Sequence, residues 1–193
     1  MSAVRNERMV AVATELHLFP GASELTGRDE INAGKALLVR ATGADRSDPG
    51  GMLLRPLATE RAWQIYADHR VEVEAEFGVA AADARRMVDE LRARCANTAM
   101  DMFAAQCDHT IIGAIGRFRM PPPDHHWARL QEVDIFPTWR GYGYGTAMLL
   151  TMLGLLAREG ATMVVVGADE DDWPLTWYRR HGFSDVARVR KAQ

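Results

Sequence analysis

The spacing of apolar residues changes along the chain, and each change marks an element. Val10, Val12, Thr14, Leu16 and Leu18 alternate with other residues, which predicts a strand ending at Phe19-Pro20-Gly21. Thr26 followed by Asp29 is a helix-start signal, and it predicts a helix carrying Ile31, Ala33, Ala36, Leu37 and Val39. Residues 45–51, Asp-Arg-Ser-Asp-Pro-Gly-Gly, form a turn-rich connector. The main domain is therefore expected over residues 51–193. Residues 1–50 read as an N-terminal extension, a strand plus a helix, packed on that domain or on a partner.

Within the main domain a short strand is predicted at 52–55 before Pro56. Thr59 then caps a helix running to about Phe77, where Gly78 breaks the pattern. A second helix follows over about 80–95, with Met87, Val88 and Leu91 on one face. Strands at 99–106 and 110–119 make a hairpin, closed off by Pro121-Pro122-Pro123. The next strand, 127–136, carries Leu130, Val133 and Ile135, which break strict alternation between 130 and 133. A β-bulge explains such a slip. A helix at 143–158, a buried strand at 162–166, a short helix at 174–181 and a strand at 183–189 complete the order. The pattern β-α-α-β-β-β-α-β-α-β predicts an α/β (α+β) fold with a mixed sheet.

Composition narrows the function classes. The chain has 193 residues, 23 basic and 26 acidic side chains and a net charge of −3. That balance argues against a dedicated nucleic-acid binder. Two cysteines, Cys95 and Cys107, are too few for a disulfide framework and lack the C-x-x-C spacing of zinc or redox sites. No signal-peptide pattern is evident, and no apolar run approaches the roughly 20 residues that span a bilayer. A cytoplasmic protein without membrane association is expected. His125 and His126 are adjacent and would face opposite sides of a strand, so no metal site is expected.

The segment with chemical content is residues 133–146, which joins a strand to a helix. It contains Arg140, Gly141, Gly143, Gly145 and Thr146. Glycines at alternate positions let the backbone approach a ligand, and the helix behind them begins with amides that have no internal acceptor. Such a loop suits phosphates, with Arg140 as a positive fork. On glycine content alone, a flexible turn beside a surface arginine fits too. A G-x-G-x-x-G fingerprint is absent, because Thr146 or Met148 stands at the third position, and no P-loop Gly-Lys-Ser/Thr follows.

The run Arg140-x-x-Gly143-x-Gly145 resembles the acetyl-coenzyme A pyrophosphate loop of the GNAT acyltransferase superfamily. Ile135-Phe136-Pro137 is similar to the family's strand-end V-x-P segment. Residues 177–183, with Tyr178, Gly182 and Phe183, look like its L-Y-x-x-x-G-F segment. The resemblance covers about residues 52–189 and implies a mostly antiparallel central sheet flanked by helices. It also implies acetyl-coenzyme A as co-substrate. Backbone groups of Val133 and Ile135 would hold the thioester and pantetheine arm, and amides of Arg140, Gly141, Tyr142, Gly143, Tyr144, Gly145 and Thr146 would cradle the pyrophosphate. Tyr178 would protonate the departing thiolate. Asp171 stands where many members place a cofactor-touching asparagine. Members usually end with two strands after G-F, and here there is room for one, so the segment 10–18 is a candidate for the missing sheet position.

Acyl transfer to an amine needs a proton acceptor, since an alkylamine has a pKa of about 10. The positions the family commonly uses fall on Arg129 and Gln131, neither of them a base. Glu132 is the nearest carboxylate and the candidate catalytic base, with Asp134 beside it. The bulge would turn one of the two inward, and a water chain is the other route. Glu72, Glu74 and Glu76, together with the acidic run 169–172, would favour a cationic acceptor if they face the pocket; otherwise they are solvated surface charge. The leading expectation is an N-acetyltransferase acting on a small-molecule or peptide amine by direct attack. Alternatives are a non-catalytic acyl-coenzyme A sensor, or a transferase for another acyl group or a hydroxyl acceptor. A homodimer is the default assembly.

Overall fold

The computed structural model describes residues 34–43, 51–120 and 122–189. Seven strands form one sheet: β1 (Lys35–Ala41), β2 (Leu53–Pro56), β3 (Met100–Cys107), β4 (Thr110–Arg119), β5 (Trp127–Ile135), β6 (Met163–Asp169) and β7 (Ser184–Val189). Four helices flank it: α1 (Glu60–Ala75), α2 (Ala81–Asn97), α3 (Tyr144–Arg158) and α4 (Trp173–Arg180). The expected mixed, mostly antiparallel sheet is present, in the order β2-β3-β4-β5-β6-β1-β7 with β5 and β6 the parallel pair.

The sheet separates two cores. One lies under α3 and α4 and gathers Leu38, Ile112, Met148, Leu149 and Met152. The other lies under α1 and α2 and gathers Leu37, Tyr66, Val88, Leu91 and Phe118. Thr59 caps α1 as expected, its side chain accepting from Ala62 N at 3.2 Å. Arg117 is buried beside α3's end, bonded to Asp101 at 3.1 Å and to Glu159.

The N-terminal region departs from expectation. Ala36, Leu37 and Val39, predicted on a helix, belong to strand β1, paired antiparallel with β6 on one side and β7 on the other. Ala36 and Leu38 enter one core while Leu37 and Val39 enter the other, so this strand is buried on both faces. The sheet position that lacks a second C-terminal strand is thus filled from the N-terminal side, by 35–41. β1 lies ahead of the boundary expected at residue 50 and is part of the sheet itself. The strand expected at 10–18 lies outside the described residues, as does the start of the predicted helix.

Two irregularities shape the sheet where it opens. β5 and β6 pair only from Trp127 to Arg129 and from Met163 to Val165. On the other side, Gly116 pairs with Gln131 but Ala114 pairs with Asp134, so β5 carries one extra residue. This is the bulge expected from the apolar slip, with Glu132 at φ +51°. Glu132 and Val133 therefore have no partner on β4, and β6 has already diverged.

Gly113 lets β4 follow this distortion. A Cβ there would lie 2.5 Å from the Asp134 carbonyl oxygen and 2.7 Å from Ile135 Cδ1. Gly113→Ala is expected to cost about 1–3 kcal/mol through overpacking against backbone. Chemical denaturation would check this: an unchanged midpoint would show that the two strands are not held this closely.

Candidate functional site

The splay between β5 and β6 opens a cleft of about 390 Å³. Val133, Asp134 and Ile135 form one wall, and Trp173, Pro174, Trp177 and Tyr178 of α4 face them. The end of the cleft is closed by the glycine loop and the first turn of α3. The loop turns through two left-handed glycines, Gly141 at φ +84° and Gly143 at φ +83°. Gly143 is also the N-cap of α3 and supplies no side-chain cap, so the amides of Tyr144, Gly145 and Thr146 lack intrahelical acceptors. The positive end of the helix dipole adds to them. Met148 closes the floor. At Gly145 a Cβ would make only ordinary contact, 3.6 Å from Trp177, so the protein's own packing does not demand glycine there.

Of the expected cofactor-contacting residues, Val133, Ile135, Arg140, Gly141, Gly143, Gly145 and Thr146 line this cleft. Tyr142 and Tyr144 lie in the same loop but outside the lining, with rings 6.3 Å apart and Tyr142 74% exposed. Asp171 is exposed and also outside the lining, in the turn before α4. Its neighbour Asp172 caps that helix, accepting from Trp173 N at 2.7 Å. Two other carboxylates of the acidic run are engaged in ion pairs: Asp169 pairs with Lys35 at 3.5 Å and Glu170 with Arg188.

Arg140 does not point freely at the cleft. Its Nε donates to the Ile135 carbonyl at 2.7 Å, Nη1 to Glu76 at 2.6 Å and Nη2 to Asp134 at 3.3 Å. Burial works against its charge, but these carboxylates prevail and raise its pKa. The fork expected for a phosphate thus ties the loop to the end of α1 and to β5.

Behind it lies a connected charge network. Arg70 pairs with Glu74, with Asp134 at 3.5 Å and with Glu132 at 3.9 Å. Four carboxylates (Glu74, Glu76, Glu132 and Asp134) thus meet two guanidiniums. Glu72 stands apart, 3.4 Å from His69. Burial raises the pKa of Asp134, opposed by Arg70 and Arg140. Its Oδ2 is buried and accepts no hydrogen bond among the described residues. Glu132, the candidate base, sits at the bulge facing Arg70 and is not among the cleft's lining residues.

Tyr178 is 5% exposed and packs edge-on against Trp177 and Phe183, with centroids 4.9 Å and 5.3 Å away. Burial pushes its phenol well above the ordinary value, so it stays protonated. Trp173 and Trp177, not among the expected site residues, also line the cleft, and Trp173 is 71% exposed. Their i, i+4 spacing, repeated by Pro174 and Tyr178, was the signal that one face of α4 addresses the cleft.

Among the described residues no cluster of metal-binding side chains occurs, and no helix is long and apolar enough to cross a membrane. No curated protein matches the chain. Several solved structures share its fold. One is a functionally unknown conserved protein from Staphylococcus epidermidis, with TM-score 0.65 and 14% identity over 81% of this chain. The chain spans only 59% of that protein's length. A GCN5-related N-acetyltransferase from Ralstonia eutropha matches with TM-score 0.50 and 26% identity, over 69% of this chain and 93% of its own. A predicted acetyltransferase from Clostridium acetobutylicum, solved with acetyl-CoA, matches with TM-score 0.50 and 18% identity, over 69% of this chain and 90% of its own. The family model for the acetyltransferase (GNAT) family matches residues 62–183, more than half of the sequence, and the chain belongs to that family.

Proposed function

We propose that the protein transfers an acetyl group from acetyl-CoA to a primary amine by direct attack in a ternary complex. The observation that carries this reading is the cleft. It combines strand-end peptide groups without cross-strand partners at Val133, helix-start amides without acceptors at residues 144–146, and a buried phenol facing both. The amides and the helix dipole suit the pyrophosphate. The unpaired peptide groups of β5 suit the pantetheine arm and the thioester oxygen, where negative charge grows as the nitrogen attacks. The family's solved members include one with acetyl-CoA bound.

In the transfer step the amine lone pair forms the C–N bond and the C–S bond breaks. Tyr178 gives its proton to the departing sulfur. The burial that raises the phenol's pKa would raise a thiolate's too, which keeps donor and acceptor matched. The proton lost by nitrogen goes to Asp134 rather than Glu132, because Asp134 alone of the two lines the cleft. The excess of carboxylates around Arg70 and Arg140 favours an acceptor that arrives as a cation, and this ammonium first loses one proton to solvent so that its lone pair is free to attack. An acyl-cysteine is disfavoured: burial pushes Cys95 up to about 11, and it packs in the core under α1 and α2.

The test is thiol release from acetyl-CoA across a panel of polyamines, aminoglycosides, amino acids and peptides. The expected result is amine-dependent release, with a product heavier by one acetyl group. Release with hydroxyl acceptors alone, or with propionyl-CoA and not acetyl-CoA, would overturn the assignment of acceptor or donor. A panel without turnover, in a protein that binds the coenzyme, would favour the sensor reading.

A further inference from the structure

Behind the pyrophosphate end of the cleft, a histidine is hydrogen-bonded at both ring nitrogens. His181 ends α4, and its Nδ1 lies 2.8 Å from the Trp177 carbonyl oxygen. Its Nε2 lies 2.9 Å from Thr146 Oγ1. Thr146 lines the cleft in the first turn of α3, among the amides without acceptors, whereas His181 is not part of the lining.

These two contacts determine where the hydrogens sit. A carbonyl oxygen only accepts, so Nδ1 must carry a hydrogen. In the neutral ring Nε2 is then an acceptor, and the Thr146 hydroxyl donates its hydrogen to it. The hydroxyl thereby presents lone pairs, not a donor, to the cleft. An anion there would be repelled by the group nearest the helix-start amides. If the ring gains a proton at Nε2, the bond reverses. Nε2–H donates to Oγ1, and the hydroxyl hydrogen is released to donate to a phosphate oxygen. The imidazolium also adds a positive charge behind the site.

We infer that His181 is a positioning residue for pyrophosphate recognition, which takes up a proton as the ligand binds and so turns the Thr146 hydroxyl into a donor. The inference rests on the acyl-CoA reading above. No bond to carbon or phosphorus is made or broken; one proton moves from solvent to Nε2. Histidine in general is the side chain that changes charge between about pH 5 and 8. On its own element the ring packs against the Trp177 indole, centroids 4.6 Å apart, and the nearby charges are Arg179 and Arg180. Arg179 is turned to Asp185 at 2.7 Å. From α3 the facing group is Thr146, and from β1 Arg40 lies 3.6 Å from the Cβ position of the neighbouring Gly182.

Linkage gives the sign. A ligand that binds the protonated ring more tightly must raise proton occupancy, so affinity falls as pH rises through the histidine range. Coenzyme A itself would confuse this, because its 3′-phosphate titrates near pH 6. Dephospho-coenzyme A retains the pyrophosphate and lacks that group. The experiment is calorimetric titration of the full chain with dephospho-coenzyme A, in buffers of high and low ionisation enthalpy. Uptake of a fraction of a proton per ligand near pH 7 is expected, with affinity falling about fivefold or more between pH 6 and 8.5. Thr146→Val, which keeps the histidine, should sharply reduce the uptake and the pH dependence. His181→Gln should abolish both while keeping a neutral partner for Thr146, and thermal unfolding of both variants would verify that they fold. Binding without proton uptake, or uptake undiminished in Thr146→Val, would overturn the inference and leave the acyl-CoA reading standing. Failure of both coenzyme A and dephospho-coenzyme A to bind the unmodified chain would overturn the two together.

Discussion

Tyr178→Phe is expected to lower turnover by about 10²- to 10³-fold while acetyl-CoA binding stays nearly unchanged. The substitution removes one oxygen from a ring that is 5% exposed and wedged between Trp177 and Phe183, so ring and packing stay in place. Its hydroxyl has no side-chain hydrogen bond among the described residues, so no protein partner is stranded by the loss. What disappears is the one phenol hydrogen that faces the cleft. The thiolate must then leave unprotonated, and that cost falls on the transition state alone. Steady-state thiol release, set beside a direct binding measurement, separates the two effects. A variant that turns over at the unmodified rate would remove Tyr178 from the chemistry.

Asp134→Asn should be comparably damaging, with a distinct pH signature. The carboxylate serves as a base only when ionised. Burial raises its pKa against the pull of Arg70 and Arg140, so the acidic limb of kcat/KM should lie above the ordinary aspartate value of about 3.9. Activity is expected to rise with pH through that limb and to hold above it. Asn removes the limb and about 10²-fold or more of the rate. Arg70→Met takes away one of the two attractive charges, 3.5 Å from Oδ2, and should move the limb to higher pH in an otherwise active protein. A full-rate Asp134→Asn enzyme would place proton acceptance elsewhere, with Glu132→Gln the next variant to assay.

These expectations depend on details that were unevenly legible in the sequence. The bulge was readable because Leu130, Val133 and Ile135 cannot all face one core in a regular strand, and the structure places the extra residue there. The tight turn of the glycine loop was readable because alternate glycines precede a helix start, and Gly141 and Gly143 do adopt left-handed backbone there. The N-terminal strand was misread for a physical reason. Residues 36–39 are an unbroken apolar run, as an interior strand buried on both faces requires, and such a run carries no period to separate it from a helix. Only the pairing with β6 and β7 decides between them.

The site was less legible where it depends on residues far apart in the chain. Arg140 read as a free fork, although the Ile135 carbonyl and Asp134 close by in the chain take two of its donors. Its third partner, Glu76, lies 64 residues earlier, brought near by the packing of α1 on the sheet. Of Glu132 and Asp134 only the second is a lining residue of the cleft, and sequence order alone is silent on that. His181 appeared only as a variable position inside the L-Y-x-x-x-G-F segment. Its link to Thr146 is made by the docking of α4 against the start of α3.

The central claim is that this cleft binds an acyl-coenzyme A. It is tested most directly by thermal unfolding of the full chain with acetyl-CoA, coenzyme A, NAD and ATP in separate samples. A ligand at about 100 times its dissociation constant adds roughly 2.7 kcal/mol of stability. The expected result is a clear rise in Tm with the two coenzyme A compounds alone. No rise with either at millimolar concentration, or an equal rise with NAD and ATP, would contradict the account.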